Sequence, residues 1–87
     1  MTTKRLVLEQ AANGSGVLGK LDDDCPVFIL TANDMMAPGF VELWAAALRQ
    51  TVGAHPSERH ALKILTAEMT AKDMRQWQTR HGAKVPD

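Results

Sequence analysis

The apolar positions of this 87-residue chain fall into distinct patterns. The first is the unbroken run Val27-Phe28-Ile29-Leu30 behind Pro26. Four residues are too few for a helix of their own, and a run apolar on both pleat faces predicts a strand covered on two sides. Pro26 suits the first position of a strand, where its missing N–H costs least. A strand needs a partner, so residues 27–31 are expected to hydrogen-bond to the N-terminal arm or to a second chain.

The second pattern is helical. Phe40, Val41, Trp44, Ala47, Leu48 and Val52 recur at spacings of three and four, predicting an amphipathic helix from near Pro38 to about residue 52. Gly53 is placed to terminate it, and His55-Pro56 prevents its continuation. Ser57 is a good N-cap for a second helix over about 58–80. Its stripe runs Ala61, Leu62, Leu65, Met69, then slips to Met74 and Trp77, with a candidate kink near Thr70 and a stop at Gly82.

Residues 1–24 show no sustained period. Leu6-Val7-Leu8 and Val17-Leu18-Gly19-Lys20-Leu21 are read as short strands, separated by the breaker Asn13-Gly14-Ser15-Gly16. The expectation is a small single-domain α+β fold. An extended arm, 1–24, mobile at its start, supplies one or more strands. A strand–helix–helix core follows over 25–82, then a tail over 83–87. The core is assigned to Phe40, Trp44, Leu48, Leu62, Leu65 and Met69.

Composition narrows the function classes. A hydrophobic fraction of 45% with 23% charged residues is that of a globular chain. At this length only about 60–65% of the unfolded surface is buried, and self-association is a common remedy for so thin a core. Ten basic and ten acidic residues cancel, which argues against wrapping nucleic acid or coating an anionic membrane. The balance is uneven: residues 1–52 carry a formal −2 and residues 53–87 a formal +2. The single Cys25 excludes an internal disulfide and is read as a small, partly buried residue. No leader pattern and no apolar run of about 20 residues is visible, so no membrane partner is expected and a reducing cytoplasm is the expected compartment.

Candidate chemistry is sparse. The strand–turn–helix outline around Asp34 resembles an anion site in geometry, but Gly39 stands alone and no phosphate-binding fingerprint is present. The Asp34 carboxylate is expected to accept from the N–H of Met36 or Ala37 in an Asx-turn, with a ligand site there as the weaker alternative. His55, His60 and His81 lack metal-ligand spacing, and Asp22-Asp23-Asp24 does not match a calcium loop. No catalytic, cofactor-binding or metal-binding residue is assigned. Met35 and Met36 sit in a turn where at least one side chain should be exposed unless another element covers it; they either fill the core or, with Val27 and Ile29, form the candidate interaction surface.

The segment Pro26-Val27-Phe28-Ile29-Leu30, Ala32, Asp34, Ala37-Pro38, Val41, Trp44-Ala45 resembles a pattern in small uncharacterised bacterial proteins, some of them phage-associated. The ending Met74, Trp77, Lys84-Val85-Pro86-Asp87 is similar to theirs as well. The resemblance implies a shared fold element over about half the chain. It implies no activity and carries no functional residue.

The leading expectation is therefore a non-enzymatic interaction or assembly module that forms homo-oligomers, with another protein as the other candidate partner. One alternative is a helix-turn-helix-like nucleic-acid-binding regulator reading through Glu58, Arg59, His60 and Lys63. The other is a small ligand-binding or enzyme subunit with its site at the Asp34 turn.

Overall fold

The computed structural model describes residues 3–85. It contains four helices: α1 (Lys4–Ala12), α2 (Gly16–Lys20), α3 (Ala37–Val52) and α4 (Glu58–His81). No strand forms among the described residues; the one β-type contact is an isolated parallel bridge between Asp34 and Lys84. The architecture is all-α, which overturns the α+β expectation. Residues 25–31 are irregular, and residues 4–20, expected to supply strands, are largely helical. The expected mobile start at Met1 and Thr2, and Pro86 and Asp87 of the tail, lie outside the described residues.

Local signals explain the helices better than the apolar run explained a strand. Thr3 caps α1 by accepting from the Leu6 N–H at 3.2 Å. Gly14 and Gly16, both at positive φ, turn the chain into α2. Ser57 caps α4 through the His60 N–H at 3.2 Å, and Gly53 and Gly82 end α3 and α4 at φ 79° and 81°. The second long helix is continuous through Thr70, whose hydroxyl donates to the Thr66 carbonyl at 2.8 Å. In the 27–30 run, by contrast, no backbone group hydrogen-bonds to any described residue. A two-faced apolar strand depends on neighbours above, below and beside it, and neither hairpin supplies them.

Contacts between helices are confined to two hairpins, α1 with α2 and α3 with α4. In the second, Arg49 pairs with Glu68 at 2.6 Å and Arg75 pairs with Glu42. Moving seven residues back along α3 moves seven forward along α4, so the helices run antiparallel and in register over two turns. The seam consists of Ala37, Val41, Ala45, Leu48 and Val52 facing Ile64, Ala67, Ala71, Met74 and Gln78, all buried or half-buried. Spacings of three and four along both helices make this a short coiled-coil-like contact built mainly from small side chains.

That seam corrects the expected core. Ala37, Ala45, Ile64 and Ala71 are its fully buried apolar residues, with Pro38 beside them. Leu48 is half-buried, but Phe40, Trp44, Leu62, Leu65 and Met69 all lie exposed. The large side chains marked by the helical period form stripes one or two positions out of step with the alanines. Alanine lets helix axes approach closely, and ion pairs at two levels hold that register.

Candidate interaction surface

The surface bears an unusual load of large apolar side chains. Phe28 is 87% exposed and Val17 77%; Ile29, Leu43, Leu62 and Val85 are each nearly two-thirds exposed or more. Total accessible area is 7148 Å². A compact monomer of 9.5 kDa exposes about 5000 Å² on the usual scaling, an excess of about 2000 Å². The radius of gyration, 14.2 Å, likewise exceeds the roughly 12 Å expected of a compact chain of this length.

On the α3–α4 hairpin this apolar surface divides into two patches. Phe40, Trp44 and Ala47 each stand one residue before the seam positions Val41, Ala45 and Leu48, which turns them about 100° to one flank. Leu62, Leu65 and Met69 each stand two residues before Ile64, Ala67 and Ala71, which turns them about 200°, onto the back of α4, the side away from α3, with Leu65 also edging the groove near the Gly53 turn. The slip noted in the α4 pattern is the crossing between these two stripes: Met74 belongs to the seam, and Leu62 to the back. Sequence reasoning missed this second face because it ranked positions by side-chain size. The alanine spacing 67–71 beside Ile64 was the signal that could have found it.

The expected interaction residues Val27, Ile29, Met35 and Met36 are exposed as well. Val27 and Ile29 lie on the irregular linker between the hairpins, whereas Met35 and Met36 border the N-terminus of α3.

Residues 32–36 are instead clamped to the end of α4. Asp34 Oδ1 accepts from the Met36 N–H at 2.8 Å, closing the Asx-turn, and the Asp34 carbonyl accepts from Ala37 N–H at 3.0 Å. Gln78 Nε2 donates to the Ala32 carbonyl at 3.1 Å and to the Asp34 carbonyl at 2.9 Å. Trp77 Nε1 donates to Asn33 Oδ1 at 3.2 Å, and its ring stacks on His81 with centroids 3.9 Å apart. Lys84 completes the clamp: its N–H donates to the Asn33 carbonyl at 3.0 Å, and its carbonyl accepts from Met35 N–H at 2.9 Å. Asp34 Oδ1 and the backbone carbonyls of residues 32–34 are thus engaged within the fold.

The histidines do not converge, since His60 lies in the first turn of α4 and His81 in its last. No group of three or more His, Cys, Asp or Glu side chains among the described residues could hold a metal ion. The Asp22-Asp23-Asp24 turn is exposed, and Cys25, expected to be partly buried, is exposed too. Two open grooves beside the seam, of about 440 and 460 Å³, share Arg49 and Glu68. Those two side chains already neutralise each other. No helix of the described residues is long and apolar enough to cross a membrane.

No family model, curated protein or solved structure matches the chain.

Proposed function

We propose that this chain is a non-enzymatic assembly module whose working form is a homo-oligomer. The observation that carries the reading is the outward placement of the large apolar side chains, with about 2000 Å² of surface beyond what a compact monomer exposes. Stable homodimer interfaces commonly bury 2,000 Å² or more in total, about 1,000 Å² from each copy, so the excess on one copy is ample for such an interface. A formal charge of zero removes the net repulsion that keeps many small proteins apart. The reading places the module in a reducing cytoplasm, where the lone exposed Cys25 stays a thiol.

Sedimentation equilibrium of the purified full-length chain at low micromolar concentration tests it. A dimer or higher species with a helical spectrum is expected. A folded monomer at every concentration would defeat the reading.

A further inference from the structure

The back of α4 carries the most specific information about how two copies would meet. Leu62, Leu65 and Met69 project there, 63%, 53% and 56% exposed. Read in the opposite direction the stripe nearly superposes on itself: Leu62 exchanges with Met69, and Leu65 stays near the centre. A stripe of this kind complements a second copy of itself run antiparallel, which is the condition for a closed twofold interface.

Charge then selects the direction. Glu58 stands one turn before Leu62, and Lys72 one turn after Met69, so the two extend the stripe at its ends. Both are exposed, and neither takes part in the two ion pairs of the α3–α4 hairpin. An antiparallel pair brings Glu58 of each copy to Lys72 of the other, once at each end. Arg59 and Asp73, on one shoulder of the same face, meet with opposite signs in the same arrangement. A parallel pair would set Glu58 on Glu58 and Lys72 on Lys72, which is repulsive at both ends.

We infer that α4 packs antiparallel against α4 of a second copy through Leu62, Leu65 and Met69, with Glu58–Lys72 pairs closing both ends. The result is a four-helix layer with the two α4 helices inside and the two α3 helices outside. The inference rests on the reading that the chain self-associates, and it adds the surface, the direction and the charge code.

Sedimentation equilibrium of full-length variants decides it, with circular dichroism as the folding control. Leu65→Glu places two carboxylates at the twofold axis and is expected to give a helical monomer. Glu58→Lys and Lys72→Glu are each expected to weaken the dimer about tenfold, since both ends change from attraction to repulsion. The double swap is expected to restore it. Should Leu65→Glu lose its helical spectrum, the charge series decides alone. A dimer that survives Leu65→Glu, or a double swap without recovery, overturns the α4 interface while leaving self-association standing. An unsubstituted chain that is monomeric throughout overturns both.

Discussion

Helices α1 and α2 meet backbone to backbone, whereas α3 and α4 meet through side chains, with alanines and Ile64 fully buried and Val41, Leu48, Val52 and Met74 half-buried around them. A Cβ built on Gly19 would lie 2.6 Å from the Gly14 carbonyl carbon and 2.8 Å from the Gln10 carbonyl oxygen, so the first hairpin closes only because that side chain is missing. It buries no residue. The second hairpin buries Ala37, Pro38, Ala45, Ile64 and Ala71 and adds two ion pairs. Close approach is reached in both by making side chains small, and small side chains remove little apolar surface from water. A chain with 45% hydrophobic residues thus has a thin core because most of its large apolar side chains lie outside both hairpin seams.

The largest effect is expected at the one large aliphatic residue that the seam buries fully. Ile64 is 3% exposed, and Ile64→Ala should cost about 3 kcal/mol, read as loss of the cooperative helical transition on chemical denaturation. Ala71→Leu, at 1% exposure, tests the same seam from the other side: overpacking should cost about 2 kcal/mol by separating α3 from α4. Either result confined to the α1–α2 hairpin would refute the division of labour between the hairpins.

Gly19→Ala is the counterpart in the first hairpin. Its Cβ meets backbone atoms that cannot rotate away, so α1 and α2 should part. Amide exchange should then speed up in residues 4–20 and stay unchanged in α3 and α4. Equal loss of protection in both hairpins would show that they are coupled. Ser57→Ala removes the cap of α4 and should cost about 1 kcal/mol. Smallest of all, the Arg49–Glu68 pair joins side chains 60% and 48% exposed, and a double-mutant cycle should return less than about 0.5 kcal/mol, falling with added salt.

Legibility followed the range of the interactions. The bounds of α3 and α4, the Ser57 cap, the positive-φ stops at Gly53 and Gly82 and the Asx-turn at Asp34 were all readable, because each depends on residues within four positions. Which face of each helix is buried was not. Leu62 and Ile64 are almost equally apolar, and only the fit of Ala45 against α4 separates the inner stripe from the outer. Residues 27–30 failed for the same reason: Val, Phe and Ile favour a strand, but pairing is a property of neighbours, and α1 and α2 took up the residues expected to provide them. That Val27, Ile29, Met35 and Met36 are exposed could be read from the sequence. The stripe on the back of α4 could not, having been assigned to the core.

The clamp between residues 33–35 and Lys84 has a topological consequence. It holds the polypeptide entering the α3–α4 hairpin beside the polypeptide leaving it, so about fifty residues form a loop whose two ends share one doorway. A unit with adjacent ends can be inserted into a surface turn of a host protein without stretching it. The two ends of the α3–α4 hairpin thus meet at the opposite end from its Gly53 turn.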